Sequence, residues 1–154
     1  MLSARFTAEY LQCTITVMSQ LLEQKLLSRK VKPTAVRMLV LQQLMDRASA
    51  ISLSELENNF ERADRSTLYR TLKTFEKSKL IHRIDDGTGM SKYALCEDGC
   101  ECKLNDLHVH FYCTTCQQTI CVTEAKVPKV ELPSGFELTE MNMVLKGICA
   151  NCKK

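Results

Sequence analysis

Asp64-Arg65-Ser66-Thr67-Leu68-Tyr69-Arg70-Thr71-Leu72-Lys73-Thr74-Phe75-Glu76-Lys77 is the stretch on which the fold turns. Asp64 or Ser66 starts a helix, and Leu68, Leu72 and Phe75 fall on one face of it at i, i+4 and i+7. The opposite face presents Ser66, Tyr69, Arg70, Lys73 and Lys77, and residues 62–83 hold seven Lys/Arg against two Asp/Glu. A helix that enters the major groove needs one apolar face to hold it on its domain and one polar face to meet bases and phosphates. This segment offers both. Arg70, Lys73 and Lys77 can neutralise phosphates, Arg70 can pair with a guanine edge, and Tyr69 can touch a thymine methyl or bond a phosphate. A solvated basic helix carries the same charges, so the surroundings must decide.

Upstream, residues 19–30 predict a helix burying Leu21, Leu22, Leu26 and Leu27. Thr34 is an N-cap for a helix running to about Met45, with Val36, Leu39, Val40 and Leu44 at helical spacing. Ser49-Ala50-Ile51 is expected as a turn. Ser52-x-x-Glu55 is a capping box that opens a short helix over Leu53, Leu56 and Phe60. Downstream, Ile81–Ile84 and Ser91–Leu95 are strands joined by the turn Asp86-Gly87-Thr88-Gly89. Three helices followed by a hairpin is the winged helix-turn-helix arrangement, with Arg83 and Lys92 of the wing expected to reach flanking phosphates. The domain is placed at 18–95, with residues 1–17 set apart as an extension.

Residues 96–106 form a connecting loop rich in Cys, Asp and Glu, and the remainder, 107–154, makes a second domain with strands at 107–113, 118–123 and 136–148. Pro128, Pro133 and Gly135 leave room between them for only a short helix. The strongest chemical signal is here. Cys113-x-x-Cys116 and Cys149-x-x-Cys152 place two thiol pairs on two tight turns, and four thiolates enclose one zinc at tetrahedral geometry. The 32 residues between the pairs exceed zinc-ribbon spacing, which an added strand would explain. Four thiolates leave no open position, so this zinc is structural. Just before the first pair, His108-x-His110 puts two imidazoles on one strand face, with Cys121 on the next strand able to lie opposite. Cys96, Cys100 and Cys102 lie upstream. These six residues are candidates for a second, mixed Cys/His metal site; exposed histidines and buried thiols also occur without metal. His82, in the wing, is given no metal role.

The 154 residues suffice for two small domains, and the net charge of +3 divides unevenly: +5 over residues 28–95, −2 over 96–154 and zero over 1–27. Nine cysteines at close spacing, without an apolar leader or a run long enough to span a membrane, suit a reducing cytoplasm and metal ligation rather than disulfides.

The run Asp64–Phe75 followed by Leu80-Ile81 resembles the recognition helix of the ferric uptake regulator family. His108-Val109-His110-Phe111-Tyr112-Cys113-Thr114-Thr115-Cys116 and Gly147-Ile148-Cys149-Ala150-Asn151-Cys152 resemble its metal-binding dimerisation domain. The resemblance runs from about Leu21 to Cys152. It implies an α+β chain: a winged helix-turn-helix domain, then a small α/β dimerisation domain with a four-cysteine zinc site. It also implies a homodimer whose regulatory metal sets the spacing of two winged helices on palindromic double-stranded DNA operators, repressing metal-homeostasis genes. By position, Tyr69 and Arg70 are the implied DNA contacts, joined by Ser66 and Lys73 from the helix reading. The sequence departs from the family at Leu107, Val109, Ala50, Ala94 and Cys121, where other members often have His or an acidic ligand. A further site in the second domain is therefore expected to be absent. The sensor site is expected to be rebuilt as a thiol-rich one from Cys96, Cys100 or Cys102 with His108, His110 and Cys121, favouring Zn2+ over Fe2+.

Other classes weigh less. The chain has no His-Glu-x-x-His, nucleophile elbow or phosphate-binding glycine loop, so a zinc enzyme is not expected. The alternative is a thiol- or peroxide-responsive redox regulator of the same fold, switched through Cys96, Cys100 and Cys102. A winged-helix interaction module without a DNA role is the third reading.

Overall fold

The computed structural model describes residues 3–60, 63–97, 99–100, 108–125, 127–139 and 141–153, with side chains from residue 16 onward. Helix α1 spans Ser3–Ser28 and is far longer than the expected 19–30. It rests on its domain through a narrower stripe than the leucine pattern suggested. Leu22 and Leu26 are buried, while Leu21 and Leu27 are 46% and 58% exposed. Only the i, i+4 pair faces inward, so the other two leucines point to solvent.

Helix α2 (Ala35–Met45) starts at Thr34, whose hydroxyl accepts from the Arg37 amide, and buries Val40, Leu41 and Leu44. Leu39 lies outside this set, half exposed, and Leu41 takes its place. Helix α3 (Leu53–Asn59) carries the full capping box: the Glu55 amide donates to Ser52 Oγ, and the Ser52 amide donates to the Glu55 carboxylate at 2.8 Å. Helix α4 (Arg65–Lys77) is capped by Asp64, which accepts from the Thr67 amide at 3.0 Å; hydrogen bonds from Ser66 and Thr67 hold its carboxyl well below the usual range. Leu68, Leu72 and Phe75 are fully buried against α2, α3 and the wing. Each such side chain stabilises the fold by roughly 1.5–3 kcal/mol relative to exposure.

The wing is one strand richer than expected. Ile51–Ser52 (β1) is a strand rather than part of a turn and pairs antiparallel with β3 (Ser91–Leu95), which pairs in turn with β2 (Ile81–Asp85). In the second domain β4 (Val109–Cys113) is central. It pairs antiparallel with β5 (Thr119–Val122) and parallel with β6 (Val144–Gly147). The third strand is thus much shorter than the expected 136–148, and the described residues between β5 and β6 contain no helix.

The two sheets meet face to face. Cross-strand partners point the same way, so the His82–Ala94 and Ile84–Lys92 pairs share the inner face of the wing. On β4, β5 and β6 the inner face carries His110, Cys121 and Val144, then Tyr112, Thr119 and Lys146. Ala50, Ile84 and Ala94 pack with Cys121 and Val144 into a small apolar cluster between the sheets. Ala50 and Ala94, two of the departures from the family pattern, are therefore packing residues here.

Candidate metal centres and nucleic-acid interface

Cys113, Cys116, Cys149 and Cys152 gather with all their sulfurs within 4.8 Å of one another. Local geometry explains how. Gln117 takes a left-handed conformation, φ 60°, and its amide donates to the Cys113 carbonyl, folding the first pair over. The Cys152 and Lys153 amides both donate to the Cys149 carbonyl, folding the second. The parallel β4–β6 register sets Gly147 opposite Cys113 and brings the two turns together. A Cβ at Gly147 would lie 3.0 Å from Phe111 Cζ, so only glycine lets the strands approach this closely without adjustment. Amides of Cys116 and Cys149 donate to the Cys113 sulfur and draw its thiol down to about 6, favouring the thiolate that zinc requires. The Cys116 and Cys149 sulfurs are 3.9 Å apart. Zinc–sulfur bonds of about 2.3 Å give a tetrahedral edge of about 3.8 Å, so the residues fit the ion.

A second cluster sits at one end of the sheet junction: His82 from β2, His110 from β4, Cys121 from β5, and His108 just before β4, with ligand atoms all within 4.8 Å. His82 Nε2 is 3.1 Å from His110 Nε2 and 3.6 Å from Cys121 Sγ. A tetrahedral zinc with bonds of about 2.0 Å to nitrogen and 2.3 Å to sulfur has edges of about 3.3 Å and 3.5 Å for these pairs. Burial, with the neighbouring His108 and His110, pulls His82 down to about 4; burial foremost pulls His110 down to about 4 and pushes the Cys121 thiol up to about 11. Neutral imidazoles are the metal-binding form. His108 Nε2 and His110 Nδ1 are buried without a hydrogen-bond partner among the described residues. Three imidazoles with ring centroids 4.8–5.3 Å apart and polar atoms to spare suit a cation better than one another.

Of the six residues expected in the second site, the structure brings together His108, His110 and Cys121. Cys96 is buried with its sulfur 3.5 Å from His82 Nδ1, on the far side of that ring from the cluster. Cys100 is held elsewhere, its carbonyl accepting from Arg29, and Cys102 lies outside the described residues. His82 was missed. The available signal was its strand position: it shares a face with Ile84, whose size and character imply that this face of the wing is covered.

On α4, Ser66, Tyr69 and Arg70 are exposed, Tyr69 at 46%. Lys73 is half-buried, bonded to Glu76 at 2.7 Å and 5.8 Å from the Tyr69 ring centroid. Arg83 is exposed on the outer face of the wing. Lys92 corrects an expectation: it is buried and paired with Asp86 at 2.9 Å, so it does not reach a phosphate.

The model of the ferric uptake regulator family matches residues 28–146. The chain belongs to the ferric uptake regulator family. Among its relatives, the ferric uptake regulation protein of Bordetella parapertussis is 34% identical over 93 residues, which cover 58% of this chain and 62% of that protein. The match thus spans less than two thirds of that relative. The zinc uptake regulation protein of Mycobacterium tuberculosis is 29% identical over 130 residues, 81% of this chain and 95% of the relative. The fold is that of solved members. A zinc uptake regulator complexed with zinc and DNA superposes with a TM-score of 0.60 at 21% identity, covering 90% of this chain and 94% of that one. The Vibrio cholerae ferric uptake regulator gives 0.55 at 20% identity over 82% and 98%. Family members are transcription regulators, and no described helix is long and apolar enough to cross a membrane.

Proposed function

We propose that this family member is a metal-responsive, DNA-binding transcriptional repressor that acts in the cytoplasm as a homodimer on palindromic operators. Residues 18–95 are the DNA-reading unit, 96–106 the connection and 107–154 the dimerising unit. One observation carries the reading: the His82, His108, His110 and Cys121 cluster draws ligands from the wing sheet and from the second sheet at once. A cation there bonds to both halves of the chain. An ion that binds one relative placement of the two domains better than another shifts the population toward that placement.

Cys113, Cys116, Cys149 and Cys152 hold a permanent zinc that supports the second sheet; the bound ion supplies cross-linking, with no open position. His82, His108, His110 and Cys121 hold the regulatory ion. A thiolate with three imidazoles favours Zn2+ over Fe2+, and the 95% coverage of the M. tuberculosis zinc uptake regulation protein supports the same preference. Tyr69 and Arg70, flanked by Ser66 and Lys73, meet the operator.

The test is selection from a random duplex pool by protein holding only its four-cysteine zinc, with and without buffered excess zinc. Enrichment of a palindrome only with excess zinc is expected. Enrichment only with ferrous iron would reverse the metal preference, and no motif with any metal would overturn the repressor reading.

A further inference from the structure

At the end of the sheet junction away from the histidines, three polar side chains, Asp86, Lys92 and Thr119, are sealed from water. Lys92 and Asp86, from the wing, form an ion pair with both side chains almost wholly buried, 7% and 0% exposed. Neither is complete within its own domain. Lys92 Nζ donates to the Gln117 carbonyl at 2.9 Å and to Thr119 Oγ1 at 3.0 Å, both in the second domain. Thr119 Oγ1 donates to the Asp86 carboxylate at 2.5 Å. The Lys92 ammonium also lies 5.1 Å from the Tyr112 ring centroid. Asp86 is fixed in turn, its other oxygen accepting from the Thr88 amide and hydroxyl. Two further bonds flank the group: the Ala50 backbone amide donates to the Thr119 carbonyl at 2.8 Å, and the Asn142 side-chain amide to the Asp85 carbonyl at 2.7 Å.

We infer that the Asp86–Lys92–Thr119 group is a latch that holds the wing sheet on the second sheet without metal in the histidine cluster, positioning His82 over His108, His110 and Cys121 in advance. Desolvation offsets much of a buried pair's attraction, so the hold comes from the pair together with its hydrogen bonds across the junction, an arrangement intolerant of misplacement. Sliding the sheets by one residue would strand an ammonium and a carboxylate in a dry space. The latch therefore selects one placement among the several that the small apolar cluster alone would allow. It also grips Gln117, the residue after Cys116, so it needs the Cys113–Gln117 turn to be in place. A cation entering the cluster then finds its ligands gathered, without the affinity penalty of a sparsely populated closed form.

The experiment uses the full chain loaded with its four-cysteine zinc only, and reads amide hydrogen exchange at Ala50 together with small-angle scattering. The variant is Lys92→Met with Asp86→Asn: both charges go together, and the asparagine retains the acceptor for Thr88. Slow Ala50 exchange in the unaltered chain is expected, with a rise of tenfold or more and a more extended scattering profile in the variant. Amides inside α4 and between β2 and β3 should exchange as before, which separates release of the sheets from unfolding of the wing. Lys92→Met alone, leaving the carboxylate unpaired, should open the junction further. Unchanged Ala50 exchange in the double variant would overturn the latch, as would Ala50 exchanging freely in the unaltered chain. Neither readout involves metal in the histidine cluster, so failure of the repressor reading would show in the DNA selection and not here.

Discussion

His82 and His110 stand Nε2 to Nε2 at 3.1 Å although one belongs to the wing and the other to the central strand of the second sheet. At that separation the two nitrogens either share one proton or serve as two corners of one coordination sphere. The Cys121 sulfur lies 3.6 Å from the same His82 nitrogen, and with His108 three imidazoles and a thiol converge on one point, which is the layout of the second arrangement.

Replacing His82 with alanine should therefore abolish one metal site and spare the other. Cobalt titrated into the zinc-loaded protein should report it through its visible spectrum. Affinity at the histidine cluster should fall by at least about a hundred-fold, since even supporting residues around a metal cost about 10–100-fold when removed. Unchanged cobalt affinity would remove His82 from the ligand set.

Chelating the four-cysteine zinc should melt the second sheet and leave the helical half folded. The two thiol turns are joined by the short β4–β6 pairing and by a few bonds around Cys113 and Gly147, and structural zinc sites contribute on the order of 10 kcal/mol to the folding of small domains. Circular dichroism and exchange at β4 amides after chelation would check this. Retained protection of the His110 amide, which donates to Met143, would show that the sheet stands without its ion.

On α4, Arg70 and Lys73 should behave differently. Arg70 is exposed and restrained by only a long bond from its guanidinium to Thr67 Oγ1 at 3.4 Å, so Arg70→Ala should cost about 1–3 kcal/mol of operator affinity and relax discrimination at one base position. Lys73 is already engaged by Glu76, and its alanine variant should weaken binding less. Binding isotherms over a salt series, on operator and scrambled duplexes, distinguish the two. Equal losses on both duplexes for Arg70→Ala would mean that it contacts phosphate only.

Phe75→Ala should destabilise the winged half by about 3–5 kcal/mol, the usual cost of emptying a fully buried aromatic site. Ser52→Ala, which removes the capping box, should cost about 1 kcal/mol. Urea unfolding followed by far-UV dichroism would rank them, and a reversed order would contradict the core described for α4.

The parts legible in the sequence were those whose cause is local. The α4 stripe, the Thr34 and Ser52 caps and the two Cys-x-x-Cys turns each depend on residues within one or two turns of chain. His82 and Lys92 were misjudged for one common reason. A histidine or lysine on a short strand reads as solvated unless the covering surface is known, and here that surface comes from residues 108–122, in another domain. Leu21, Leu27 and Leu39 failed differently: a helix buries one stripe, and a surplus of leucines does not say which stripe. The length of α1 was obscured by polar residues such as Gln12, Thr14 and Thr16, which break the apolar pattern without breaking the helix.

The parallel pairing of β6 with β4 has a consequence for how each copy of the protein is born. All three strands of the wing and the three helices that pack with it, α2–α4, lie before residue 96, whereas β6 and the second thiol pair lie after residue 143. Chains emerge from the ribosome N-terminus first and fold domain by domain as they appear. Helix α4 is thus finished while the strand that closes the second sheet is still unmade. Every nascent chain passes through an interval in which the winged half is complete and the second sheet is not, until Cys149 and Cys152 are released.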